Sequence, residues 1–147
     1  MAKKIGFDGK LYRNTGSYGT PTWNEITEVR DCGWTIEADS HEVGSRASRK
    51  KLYKPGRVDF GFEFSLSYDS TVDDEDALFD AAVAGTEIEF AMMDGAIATS
   101  ANKGVRMDAC VLSWNRSEPL DGPMENNGIT LKPVPNVNSN PQQYTVP

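Results

Sequence analysis

One histidine, His41, stands in the whole chain of 147 residues. A His-paired nucleophile or a His-rich metal site would have to centre on it, but Ser40 and Glu42 beside it belong to a polar segment with no triad spacing. A solvated surface histidine accounts for it. Asp69, Asp73, Asp74, Glu75 and Asp76 crowd together, a composition that suits calcium. An EF-hand loop needs Gly at its sixth position and Glu at its twelfth, and neither is there. The acidic first turn of a helix explains the same residues through the helix dipole. Asp59 and Glu63 are two alternate positions apart on one strand. They have the residue types of a glycosidase pair, with no sugar platform to accompany them. Arg46, Arg49, Lys50, Lys51, Lys54 and Arg57 surround Leu52 and Tyr53. Basic groups around an aromatic can grip single-stranded nucleic acid. A loop docked on an acidic partner uses the same residues, and a polar segment this long favours that reading. No Gly-rich phosphate loop, Cys-x-x-Cys pair or dinucleotide fingerprint appears. The residue types point to surfaces rather than to a catalytic centre, and no cofactor or metal is expected.

The elements that position these groups are mostly strands. In Arg57 to Tyr68, Val58, Phe60, Phe62, Phe64, Leu66 and Tyr68 alternate with Asp59, Gly61, Glu63, Ser65 and Ser67. Successive strand side chains point to opposite faces, so one face is apolar and the other wet. Twelve residues span roughly 40 Å, about twice an ordinary strand, which suits a large sheet or a barrel wall. Shorter alternation predicts strands at Lys10 to Arg13, Trp34 to Ala38, Thr86 to Met93, Val105 to Val111 and Gly128 to Lys132, the last with Ile129 and Leu131 on one face. Asn14 to Trp23 reads as a loop, and Ser40 to Gly56 as a second, closed by a Pro55-Gly56 turn. Asp69 to Gly85 is the one helix, with Thr71 and Asp74, or Asp73 and Asp76, as a capping pair, a stripe of Ala77, Leu78, Ala81 and Ala82, and Gly85 at its C-terminal cap. The order predicts a mainly β fold: an antiparallel β-sandwich or partial barrel with one flanking α-helix. Residues 1–132 are read as a single β domain and 133–147 as an extended Pro/Asn/Gln-rich tail.

Composition narrows the function further. The net charge is −7, unevenly placed. Residues 1–57 hold 11 Lys and Arg against 7 Asp and Glu, a balance of +4; residues 58–147 hold 4 against 15, a balance of −11. Arg46 to Arg57 carries six bases and no acid, and Asp69 to Asp80 six acids and no base. Opposite blocks suggest pairing within the chain or between copies. The negative total argues against a dedicated nucleic-acid binder. No apolar run is long enough for a transmembrane helix, and no secretory signal is read at the N-terminus, so a cytoplasm is expected. There Cys32 and Cys110 are expected to stay reduced.

A string of features from about Trp34 to Lys132 resembles one known family. An early strand is followed by a polar loop with Glu42-Val43-Gly44-Ser45-Arg46. Tyr53-Lys54-Pro55-Gly56 leads into the long strand. An acidic helix, Asp73 to Ala84, ends in Gly85-Thr86, and late strands close on Gly128-Ile129-Thr130-Leu131-Lys132-Pro133. Together they resemble the phage tail tube, or major tail, proteins. The resemblance implies a structural, non-enzymatic subunit: hexameric rings stacked into a hollow tube, with strands of six copies forming one ring-wide barrel. It implies that the loop before the long strand reaches a neighbour, and that the genome passes through the lumen without specific binding. The partners implied are further copies of the chain and tape-measure and tail-completion proteins. The location implied is the virion tail, assembled in the host cytoplasm.

On that expectation the lumen-lining candidates are Asp59, Glu63, Glu87 and Glu89, whose charge would repel DNA phosphates. The inter-subunit loop candidates are Arg46, Arg49, Lys50, Lys51, Lys54 and Arg57, and the acidic docking candidates Asp73, Asp74 and Asp76. Two other readings stand beside it: a tube subunit of a phage-derived injection or secretion system, and a monomeric barrel binding a small ligand in an apolar interior.

Overall fold

The computed structural model describes residues 3–135 and 142–147. After a 3-10 turn at Gly6–Asp8 come β1 (Lys10–Asn14), β2 (Trp23–Glu25), β3 (Val29–Glu42), β4 (Tyr53–Ser67), α1 (Asp73–Ala84), β5 (Ile88–Met93), β6 (Lys103–Ser117), β7 (Glu125–Pro133) and β8 (Gln142–Thr145). Every ladder is antiparallel. The strands follow the order β2-β1-β5-β6-β7-β4-β3, with β8 joining β6 off that path. The sheet does not close on itself, and it matches the expected partial barrel with a flanking helix. β6 changes neighbours along its length: Gly104 to Ala109 face β5, and Ala109 to Ser117 face β7.

Alternation explains the core. The register sets Phe62 opposite Leu131, Phe64 opposite Ile129, Phe90 opposite Met107, and Met92 opposite both Leu11 and Val105. These residues therefore share one sheet face. α1 lies over that face, with Leu78 fully buried in the cluster and Phe79 edge-on to Trp114. Burying each large apolar side chain stabilises by about 1.5–3 kcal/mol. A smaller cluster on the opposite face joins Tyr12, Ala91, Met93 and Val146, packed by Trp23, Ile97 and Tyr144.

Several expectations change. The long strand starts at Tyr53, and β3 runs to Glu42, so the expected 40–56 loop shrinks to 43–52. Pro55-Gly56 is no turn: Ala38 pairs with Val58 but Ser40 with Pro55, so β4 carries an extra residue at a bulge. Proline, which cannot donate to a ladder, is tolerated at such a place. Gly56 also lies against the His41 ring, where a Cβ would come within 2.6 Å of Nε2. His41 belongs to a strand, opposite Lys54.

β2 begins at the last residue of the expected 14–23 loop and runs to Glu25. Part of the expected tail, 136–141, lies outside the described residues; beyond it, β8 pairs with Lys103–Arg106 of β6. The helix lacks the expected capping pair, since Val72 is the cap residue and makes no side-chain bond. Asp69 instead accepts bonds from the Thr71 N–H (2.9 Å) and hydroxyl (2.7 Å), which hold its carboxyl below the usual range. The C-terminal cap is as expected: Gly85 is left-handed at φ 70° and its N–H donates to the Ala81 carbonyl.

Candidate assembly surface

β3 and β4 form a long two-stranded arm, and its two faces differ in chemistry. Cys32 and Phe64, Trp34 and Phe62, Ile36 and Phe60, and Ala38 and Val58 are opposite pairs on the apolar face. Toward Ser67 that face is core. Toward the 43–52 tip it is bare: Trp34, Ile36 and Val58 are 47%, 55% and 63% exposed, and Val43, Leu52 and Tyr53 are exposed beyond them. Trp34 stacks on Phe60 at a centroid distance of 5.9 Å, marking where core gives way to open surface. β3 is also an end of the strand path, so its outer edge of 14 residues has no neighbouring strand in the order. A long exposed edge of this kind is a template for pairing with another chain.

The opposite face is polar. Gly33 pairs with Glu63, Thr35 with Gly61, Glu37 with Asp59, and Thr130 of β7 stands across from Glu63. Lys132 Nζ reaches Asp59 Oδ1 at 2.9 Å. Thr35, Glu37, Asp59, Glu63, Thr130 and Lys132 line a shallow surface cleft of about 160 Å³. Asp31 joins this face through its N–H bond to Ser65 Oγ (3.4 Å). Asp31, Glu37, Asp59 and Glu63 against Lys132 leave it acidic. The structure thus adds Asp31, Glu37 and Lys132 to the sequence candidates Asp59 and Glu63. The alternation of Thr35 and Glu37 with Trp34 and Ile36 was the signal for Glu37.

The other expected lumen residues separate. Glu87 is exposed, one residue ahead of β5. Glu89 is a correction: its strand parity is as expected, yet it is buried. Its Oε1 accepts from Arg106 Nε at 2.5 Å and its Oε2 from Asn14 Nδ2 at 2.8 Å. The Arg106 guanidinium lies 4.0 Å from the Tyr18 ring centroid, with Trp23 and Tyr144 at 5.4 and 5.3 Å. The segment between β1 and β2 therefore covers Glu89.

Among the basic candidates, Arg46, Arg49, Lys50 and Lys51 are on the exposed 43–52 tip, while Lys54 and Arg57 are exposed on β4 itself. Of the acidic candidates, Asp73 and Asp76 are exposed at the start of α1. Asp74 is the second correction: it is buried, and its Oδ1 takes Arg13 Nη2 at 2.8 Å. Glu75 pairs with Arg116. Among the described residues, no ion pair links the basic tip to the helix. Both cysteines are free. Cys32 is exposed on the arm, yet its surroundings desolvate the thiol enough, with Asp31 adding its charge, to push its pKa up.

Comparisons of the sequence with protein-family models and with curated proteins gave no match. Solved structures did match. The chain is similar to the SPP1 tail tube determined by solid-state NMR and cryo-EM, at TM-score 0.76 and 16% identity over 97% of this chain and 80% of that one. It is similar to a chain of the tail of an empty gene transfer agent particle refined with C6 symmetry, at TM-score 0.71 and 13% identity over 99% and 100%. It is similar also to a chain of the six-fold symmetrised baseplate of the anti-feeding prophage, at 0.65 and 11% over 99% and 98%. The mainly β fold with one flanking helix is as expected, and it is shared with the SPP1 tail tube, a gene transfer agent tail chain and an anti-feeding prophage baseplate chain.

Proposed function

We propose that this chain is the structural subunit of a phage tail tube. Six copies close a ring, rings stack into a hollow tube, and the genome passes along the lumen during delivery. The observation that carries this reading is the arm: an apolar sheet face and a 14-residue edge strand that nothing in the described chain covers. Pairing between copies would bury both and complete a ring-wide barrel. The acidic opposite face, with Asp31, Glu37, Asp59 and Glu63, would then line the channel and repel DNA phosphates. Glu87 belongs to that lining. Arg46, Arg49, Lys50, Lys51, Lys54 and Arg57 would reach a neighbouring copy, with Asp73 and Asp76 as their acidic counterparts. Further copies, a tape-measure protein and tail-completion proteins are the proposed partners. The proposed site is the virion tail, assembled in the host cytoplasm.

The likeness to the anti-feeding prophage baseplate chain supports a second version, a tube subunit of a phage-derived injection system. A ligand-binding monomer fits less well. Such a monomer would hold its ligand in an apolar interior, and the interior under α1 is filled by side chains, leaving about 10 Å³ at the helix start beside Ile26, Leu66 and Val72; the larger clefts, of about 470 and 580 Å³, lie at the margins of that core.

Negative-stain microscopy of concentrated purified protein tests the proposal. Rings or tubes of sixfold symmetry are expected, on concentration or after adding a tail initiator. A strictly monomeric particle at high concentration, with the 43–52 tip ordered in isolation, would overturn it.

A further inference from the structure

The two ends of the sheet differ in shape and charge. β4 and β6 both run antiparallel to β7, so they run parallel to each other and start at the same end. β6 has 15 residues, which puts its ends roughly 45 Å apart.

At the finishing end, the turn between β6 and β7 holds Leu120 at 98% exposure, between Pro119 and Pro123. The Gly122 N–H closes the turn onto the Pro119 carbonyl. Each proline fixes its φ near −65°, so the turn has little freedom left to lose on docking. Asp121 is exposed beside Leu120, and Glu118, also exposed, lies 3.8 Å from Arg116. The start of α1 is at this end too, tied by the Arg116–Glu75 ion pair, with Asp73 and Asp76 exposed.

At the starting end is a cleft of about 470 Å³. Its apolar lining is Trp34, Met92, Met93, Val105 and Tyr144, accompanied by Asp94, Lys103 and Thr145. Lys103 is exposed. The basic arm tip, with Arg46, Arg49, Lys50 and Lys51, extends from this same end. One end therefore carries an apolar knob among acids, and the other an apolar cleft, edged by one acid and one base, beside the basic arm tip. A knob and a cleft at opposite ends of one strand cannot meet within a subunit.

We infer that Leu120 of one copy docks into the Met93–Val105–Tyr144 side of the cleft of the next, making the head-to-tail contact that stacks the rings, while Trp34 on the far wall stays with the ring interface. This rests on the tube reading and names the partner surface for it. A contact between different patches on identical chains propagates rather than closing in a pair. The charge difference between the ends fixes polarity, since acid meets base in one direction and like charges meet in the other.

The test separates stacking from ring formation. Leu120 has no burial to lose in the subunit, so Leu120→Ser folds as the parent does, checked by circular dichroism. Its rings are expected to persist by size-exclusion chromatography. The concentration needed for stacking is expected to rise about tenfold or more, the factor that losing one buried leucine implies. In a Cys32→Ser, Cys110→Ser background that keeps Leu120, Asp121→Cys with Thr145→Cys should form intersubunit disulfides in assembled tubes under added oxidant, and Thr145→Cys alone should not. Stacking of Leu120→Ser at the parent concentration, or no cross-link in assembled tubes, overturns the docking and leaves the tube reading intact. A parent chain that forms neither rings nor tubes overturns both.

Discussion

The two halves of β4 share one strand and meet opposite fates. From Phe60 to Leu66 the apolar positions are buried under α1 and against β7; from Tyr53 to Asp59 every residue is exposed. Periodicity decides which face a side chain joins. What lies across that face decides whether it is buried, and for the arm that partner is outside the subunit. One half of the strand should therefore govern folding and the other half assembly.

The comparison is broken most severely in the core. Phe62→Ala is expected to destabilise the subunit by about 3–5 kcal/mol, read by urea unfolding, because Phe62 is fully buried opposite Leu131. Glu89→Ala comes next, at about 3 kcal/mol, because it leaves Arg106 buried without its carboxylate. If Glu89→Ala unfolds at the parent urea concentration, the buried pair is not what holds the β1–β2 segment down. On the arm, Ile36→Ser with Val58→Ser should move subunit stability by no more than about 1 kcal/mol while abolishing rings in micrographs. Normal rings from that double variant would show that the bare face is not the interface.

Smaller still is Glu37→Lys with Glu63→Lys. Each change should cost within about 0.5 kcal/mol and leave tubes intact while impairing DNA delivery; unimpaired delivery would remove the repulsive lining from the account. The smallest effect belongs to Asp69. Thr71 lowers its pKa in the folded state, so its contribution is present above the unfolded value of about 3.9 and fades as pH falls through the lower folded value. Asp69→Ala should lose stability slightly at neutral pH and converge with the parent in acid.

Much of the fold was legible because its strands are half-buried. Val58 to Leu66 and Val105 to Ala109 announce themselves by a period of two, and Gly85 marks the end of α1. β8 could not be read, because Gln142 to Thr145 has no alternation and is placed by tertiary partners: β6 alongside, Arg106 near Tyr144 and the small cluster that holds Val146. Pro55-Gly56 misled because a bulge and a turn favour the same residues. For the surface, Asp59 and Glu63 could be assigned to a polar face from spacing alone. Glu89 has the same parity, but its covering segment comes from 75 residues earlier, at Asn14, and no local pattern reports that. Asp74 was hidden in the same way, since its partner Arg13 is on the far side of the strand path.

β6 has a mechanical consequence. It runs unbroken from Lys103 to Ser117 and is bonded to β5 and β8 over its first half and to β7 over its second. Tension applied between its two ends would load those antiparallel ladders in shear, with many hydrogen bonds resisting together instead of opening one at a time. The strand would serve the subunit as a tendon, carrying load from the cleft at one end to the Leu120 turn at the other, with its register irregularities around Ser113 as the place where it gives first.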